Sequence, residues 1–336
     1  MAKNYYINEH PYLGQVVHGH IGNIDTEKIL ADNGYQAIQF PYIFSYSLKA
    51  KLARFFYLVK TFFTIPVGAR VVFQFPLHAH MHRLLINLLR WKNIQIVATI
   101  TDIEGLRNLD DRLLQREKRA LQKLKFIIVH NASMAAWMRQ VAPHAHLTEL
   151  EFFDFLAQPM PANRSKTGEV VFAGNLEKSP FVRDLVLLPV SFRIYGSGRQ
   201  PAAPNIIYEG VFGADTILGK LKGSFGLIWD GISIDRCAGE YGAYLAYNSP
   251  HKLSLYILAG LPIIAPATAA SGQLVKKYGI GITINNLHEI KTAIDSVSEE
   301  AYRQMIRNMQ PLAQRISSGQ CLLHALSGMA PGSNTK

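Results

Sequence analysis

Cysteine is nearly absent: Cys237 and Cys321 are the whole complement of a chain of 336 residues. Two distant thiols without metal-like spacing exclude a disulfide framework and a cysteine-held zinc site, and read as reduced side chains that pack or lie idle. No apolar run reaches the roughly 18 residues of a membrane span, and the opening MAKNYYINEHPYLG lacks the apolar core of a signal peptide. A cytoplasmic location is expected. Acidic residues are the minority, 24 Asp and Glu against 35 Lys and Arg, for a net charge of +11. That excess is shared by both halves and forms no basic tail. No zinc knuckle, RNA-recognition signature or basic block interleaved with aromatics is present, so nucleic acid is not the expected partner. A phosphorylated small molecule or an anionic lipid surface remains. The string Gly196-Ser-Gly198 also lacks the third glycine of a dinucleotide fingerprint.

The chain is long enough for two domains with sizeable cores. Apolar strand-like runs alternate with helical ones, the pattern of parallel sheets with crossover helices. In the first half 37–40, 70–75, 94–99 and 126–130 read as strands, with helices near 24–33, 47–63, 78–91 and 109–123. A second series begins after a polar, Pro-containing stretch, with strands at 169–172, 192–195, 206–209, 226–229, 262–265 and 282–284. The expected fold is α/β, two doubly wound Rossmann-like domains facing a central cleft. The first spans 1–157 and the second 168–316, with a C-terminal helix or tail over 317–336 that packs back on the first domain. The cleft is the natural ligand site.

The most informative stretch is YLAYNSPHKLSLYILAGLPIIAP, residues 244–266. Asn248 and Ser249 are good N-cap types and Pro250 suits the first helical position. Leu253, Tyr256 and Ile257 recur at helical spacing, and Gly260 supplies a left-handed C-terminal residue before a buried strand. Such a helix start presents free N–H groups and the positive end of the helix dipole, with His251 and Lys252 beside them; an anion should sit there. Three strand-end loops could form a pocket wall: Gly174, Asn175 and Lys178 in VVFAGNLEKSPF, Tyr195 and Gly196 in RIYGSG, and Trp229 and Asp230 in GLIWDG. Trp229 could stack on a flat ligand or belong to the core. Trp91 and Trp137 are assigned to packing.

The segment 47–63, SLKAKLARFFYLVKTFF, reads either as an ordinary helix packing its apolar face on a sheet, which is favoured, or as an interfacial helix at a membrane surface. Histidines at 18/20, 78/80/82 and 144/146 alternate, but they fall in expected loops or helix starts without cysteine partners, so no metal site is expected. His18, in a glycine-containing loop, is better placed to contact a ligand near the cleft.

Together FAGNLEKSPF, YGSG, GLIWDG and YLAYNSPHKLSLYILAGLPII resemble bacterial glycosyltransferases of the GT-B fold. More narrowly, the chain is similar to the group that holds β-1,6-galactofuranosyltransferases and the glucosyltransferase extending N-acetylglucosamine on serine-rich streptococcal adhesins. DTEKILADNGY, TDIEGLR, FIIVHNASMAAWM and the final helices from 299 to 329 fit the same group, so the resemblance spans nearly the whole chain. It implies transfer of galactofuranose or glucose from a UDP-sugar held by the second domain to a saccharide acceptor on the first, in polysaccharide or glycoprotein glycan synthesis. Asn248, His251 and Lys252 then become diphosphate or ribose contacts, with Tyr247, Gly174, Asn175 and Lys178 beside them. No Asp-X-Asp motif of metal-dependent sugar transferases is present, and no cofactor is expected. The large retaining GT-B group carries two glutamates about seven residues apart here, whereas this helix has leucine at the second position. An inverting reaction would need a general base from the first domain. Asp102 leads, with Glu104 and His18 behind it; Asp102 could equally cap the following helix. A UDP-sugar epimerase of the same plan, or a silent nucleotide-sugar-binding subunit, are the alternatives. A homo-oligomer, with peripheral contact to the inner face of a membrane through 47–63, completes the expectation.

Overall fold

A computed structural model describes residues 3–9, 21–39, 47–161 and 163–329. Its first unit runs β1 (Asn4–Ile7), α1 (Ile21–Asp32), β2 (Gln36–Ile38), α2 (Leu48–Thr64), β3 (Arg70–Phe75), α3 (His80–Leu89), β4 (Gln95–Ile100), α4 (Glu104–Arg107), α5 (Asp111–Leu121), β5 (Phe126–Val129), α6 (Ala132–Val141) and β6 (His146–Glu149). The second runs β7 (Val170–Ala173), β8 (Phe192–Tyr195), β9 (Ile206–Gly210), α7 (Ala214–Lys220), β10 (Phe225–Leu227), α8 (His251–Leu258), β11 (Ile263–Pro266), α9 (Ala270–Tyr278), β12 (Gly281–Ile284), α10 (Ile290–Ser296), α11 (Glu299–Ser317) and α12 (Gln320–Ser327).

Each unit holds a six-stranded sheet, in the order β2-β1-β3-β4-β5-β6 and β12-β11-β10-β7-β8-β9. Every pairing is parallel. Parallel strands are covered on both faces, which is why they read as continuous apolar runs. The period of two then splits them between cores. Val72, Val97 and Ile128 point into a core shared with α11, α12 and the second unit, while Val71, Phe73, Ala98 and Ile127 point into one beneath α3, α5 and α6. In the second sheet Val171 and Ala173 join the shared core, and Val170, Phe172 and Leu227 a separate one. The strand order reverses between β7 and β10 in this sheet, and the crevice at the carboxyl ends there is where open α/β sheets bind ligands.

The connection between the units is tied to the second: Met160 N donates to Leu258 O at 2.8 Å, and the Arg164 guanidinium donates to Ala259 O at 3.0 Å and Leu221 O at 2.8 Å. At the far end α12 returns to the first unit. The Asp154 carboxylate accepts from the N–H groups of Cys321 and Leu322 at 3.0 and 2.8 Å, satisfying the start of that helix. Thr148 Oγ1 donates to Ala325 O at 3.1 Å, and the Arg70 guanidinium to Leu326 O and Met329 O, each at 3.3 Å. His146, expected in a loop, lies in β6, its Nε2 2.9 Å from Gly328 O. Both cysteines are free, and burial pushes both thiols up, which suits packing side chains.

Candidate active site

A cavity of about 390 Å³ opens at the carboxyl ends of β7 and β8, walled by α8 and closed from the first unit by Gly22 of α1. Gly174, Asn175, Lys178, Tyr195, Gly196, His251 and Lys252 all line it, so residues spread over 79 positions of sequence meet there. Gly196 is a steric necessity. Gly196 has φ +134°, and a Cβ on it would stand 1.7 Å from Gly174 O; the two turns pass so closely that Gly174 N reaches Tyr195 O at 2.9 Å. Asn175 Oδ1 accepts from the N–H of Glu177 and Lys178, at 2.9 and 3.3 Å, which folds the loop so that Lys178 reaches the cavity. The Tyr195 hydroxyl is engaged below the site, donating to Lys220 O at 3.0 Å and accepting from Lys222 N at 2.9 Å.

The start of α8 differs from expectation in its cap. Pro250 itself holds the N-cap position (φ −70°, ψ 146°), and no side chain caps the helix. Asn248 and Ser249 lie one step earlier. Ser249 faces the first unit, its N–H donating to His130 Nδ1 at 3.2 Å and its Oγ accepting from Asn131 Nδ2 at 3.0 Å. Asn248 Oδ1 is buried with no hydrogen-bond partner among the described residues. The first-turn N–H groups of α8 therefore have no side-chain acceptor of their own and carry the helix's positive end.

Lys252 is the fixed cation at that end. Its Nζ donates to Asp230 Oδ2 at 3.1 Å and Trp229 O at 3.3 Å and lies 4.7 Å from the centre of the Phe172 ring. Ser179 Oγ supports the other Asp230 oxygen at 3.4 Å. His251 stacks on Phe153 with ring centroids 4.2 Å apart and presses on Gly22, where a Cβ would meet its Cε1 at 1.7 Å. Desolvation of these two packed faces pulls the imidazole down to about 4, so it is neutral at pH 7, although part of the residue stays open to the cavity. Both ring nitrogens of a neutral imidazole can hydrogen-bond, one as donor and one as acceptor.

Other expected site residues stand apart. Trp229 is wholly buried in the second unit's core, its indole N–H donating to Ser233 O at 3.0 Å, so no ligand reaches the ring. Alternation along the strand carries it there with Leu227. The phenylalanine rings that line the cavity are Phe155 and half-buried Phe212, the latter 6.2 Å from Tyr195; the sequence singled out neither. Tyr247 turns to the first unit, its ring 6.4 Å from Trp137 and its carbonyl accepting from Asn131 Nδ2 at 3.0 Å. His18 lies outside the described residues.

Asp102 and Glu104 follow β4 but do not line the cavity. Capping is not the role of Asp102: Glu117 accepts from the N–H groups of Glu104 and Gly105 at 2.9 and 2.8 Å and so satisfies α4. Asp102 instead pairs with the Arg107 guanidinium and with the Tyr244 hydroxyl, which itself accepts from Ile103 N at 2.8 Å. Burial outweighs these partners and raises the Asp102 pKa above the ordinary range. Glu104 Oε1 is 3.5 Å from Arg107 Nη2. Tyr244, Tyr247 and Ser249 thus seat the second unit on the first, and His251, Lys252 and Leu255 wall the cavity.

Comparison with known proteins agrees with this architecture. Residues 4–149 match the N-terminal domain of glucosyltransferase 3-like proteins and residues 170–329 their C-terminal domain. The β-1,6-galactofuranosyltransferase WbbI of Escherichia coli K12 is 29% identical over 256 residues, covering 74% of this chain and 75% of its own. Glucosyltransferase 3 of Streptococcus parasanguinis is 24% identical over 252 residues, covering 72% and 73%. Among solved structures, Anabaena HepE in complex with UDP-glucose superimposes with a TM-score of 0.63 at 12% identity, covering 98% of this chain and 99% of that one. Sucrose-phosphate synthase of Thermosynechococcus elongatus gives 0.60 at 13% identity, covering 98% and 100%. The fold is GT-B, and the chain belongs to the glucosyltransferase 3-like family of glycosyltransferases.

Proposed function

We propose that the protein transfers a hexosyl group, galactofuranose or glucose, from a UDP-sugar to a saccharide acceptor. The observation that carries the proposal is Lys252, held against Asp230 at the start of α8 and opening on the cavity. A diphosphate there meets the helix N-terminus and the ammonium together, and both strengthen as charge develops on the leaving UDP. The close approach of Gly174 and Gly196 lets backbone reach the phosphates, Lys178 adds a second cation, and Phe212 replaces Trp229 as the ring for uracil. The neutral His251 can donate to a sugar hydroxyl. With these groups supplying the positive charge, the reaction proceeds without a metal ion.

In the transfer step the bond between the anomeric carbon and the diphosphate oxygen breaks, the acceptor oxygen bonds to that carbon, and the acceptor proton passes to a base. We assign the base to Asp102, which follows the carboxyl end of β4 where the two units meet, and place Glu104 beside it. The relatives' names span a galactofuranosyl and a glucosyl transferase, and a few pocket contacts decide such a choice.

The test is a panel of UDP-sugars with mixed saccharide acceptors, read by product mass and anomeric analysis. A hexose-extended acceptor with release of UDP is expected. Donor interconverted without acceptor would identify an epimerase, and UDP binding without product a silent subunit.

A further inference from the structure

We infer that the outer face of the first unit, built from α2 and α3 and bordered by α5, docks on an anionic lipid bilayer. The sequence favours a packed role for the apolar side of α2, and the structure overturns it. Only Ala50 and Leu58 of that helix are buried. Leu48 is 73% exposed, Phe55 56%, Phe56 66% and Phe63 72%, and their spacing lays them along one side of the helix. Trp91, expected to pack, is 89% exposed just beyond α3. Aromatic and leucine side chains gathered this densely on two neighbouring helices mark an interaction surface.

Charge selects the partner. Neither α2 nor α3 contains an Asp or Glu, and Lys49, Lys51 and Lys60 flank the apolar stripe. Between α3 and α5 runs a groove of about 380 Å³ lined by Arg83, Arg90, Arg116, Arg119 and Lys123. None of these five makes an ion pair within the described residues. The groove's two carboxylates are already committed, Glu117 to the start of α4 and Glu104 to Arg107. A second copy of the chain related by a two-fold axis would set this cationic face against itself. A bilayer carrying anionic lipid satisfies both components at once: the rings and leucines enter the boundary between headgroups and acyl chains, and the Lys and Arg heads stay at the level of the phosphates. No helix among the described residues is long and apolar enough to cross a membrane, so the contact lies in the plane of the interface.

Flotation of the full chain with vesicles tests this. Binding is expected to vesicles of equal parts phosphatidylcholine and phosphatidylglycerol, to weaken as salt rises, and to be lost on phosphatidylcholine alone. The double variant Phe56→Ser/Phe63→Ser should bind at least tenfold more weakly. Arg116→Gln/Arg119→Gln removes exposed charge without touching the core, and should lose about fivefold for each charge. Both variants should keep the mass by light scattering and the cooperative thermal unfolding of the parent. Failure to bind the anionic vesicles, or binding by both variants as tight as the parent's, overturns the inference. A change of oligomeric mass in the aromatic variant with vesicle binding intact would give the face to a second copy. Retention on polyglutamate through the same residues, without vesicle binding, would give it to an acidic protein.

Discussion

Lys252 and Asp230 form an ion pair of 3.1 Å across the carboxyl end of β10, with the lysine side chain 14% and the aspartate side chain 18% exposed. The aspartate keeps the ammonium at the helix start before any ligand arrives, so binding does not have to order a long side chain. Lys252→Ala is expected to weaken UDP binding by about 1.5–3 kcal/mol, the range for a charge-assisted hydrogen bond. Titration calorimetry reads this directly, and unchanged affinity would remove the anion site from α8.

Asp102 has two describable roles, base and clasp, and Tyr244 separates them. Both residues meet at the contact between the units. Asp102→Asn is expected to leave UDP affinity in place and depress kcat by at least a hundredfold, whereas Tyr244→Phe, which keeps the ring buried, should lower it much less. Equal losses in the two variants would show that the pair serves only to join the units.

Asn131 works in both directions. Its side-chain oxygen accepts from Met134 N at 3.1 Å to cap α6, and its amide donates across to Tyr247 O and Ser249 Oγ. Asn131→Asp keeps the cap and deletes both donors. A loss of about 1–3 kcal/mol in denaturant unfolding is expected, the cost of stranding buried acceptors, and Asn131→Ala should lose about 1 kcal/mol more with the cap.

Asp154 gives a pH signature. Burial raises its pKa from 3.8 to about 6, ahead of the lowering by the Cys321 and Leu322 N–H groups. The folded chain therefore holds a proton there that the unfolded chain releases earlier. Its contribution is fully present below pH 3.8 and is lost as pH rises through about 6, on the order of 3 kcal/mol for a shift of that size. Asp154→Asn should abolish this slope, so the melting temperature of the variant gains on the parent between pH 4 and pH 7. Parallel curves would disprove the linkage.

Much of the architecture was legible because parallel strands buried on two faces are apolar throughout. RVVFQF of β3 and VVFA of β7 announce themselves as apolar runs, whereas NYYI of β1 opens on a polar residue and HLTE of β6 is polar and half-buried along its length. The start of α8 was readable to within one residue, from local chemistry, though not its cap. What stayed hidden depends on distant partners. Glu117 replaces a local cap for α4, and Tyr244 meets Ile103 across 141 residues. The burial of Trp229 could have been found, since it shares strand parity with Leu227. The exposure of Phe56 and Phe63 could not, because an apolar helix stripe looks the same whether a sheet or a membrane covers it.

The return of α12 has a kinematic consequence. The backbone crosses between the units twice, near Asp154 and again at Cys321, and the two crossings are bonded to each other at 3.0 Å. A single tether would leave the halves free to swivel in several directions. Two adjacent strands pinned together act as one hinge line, leaving one easy rotation. Any rotation about that line would change the separation of Gly22 and His251, which meet at the mouth of the cavity.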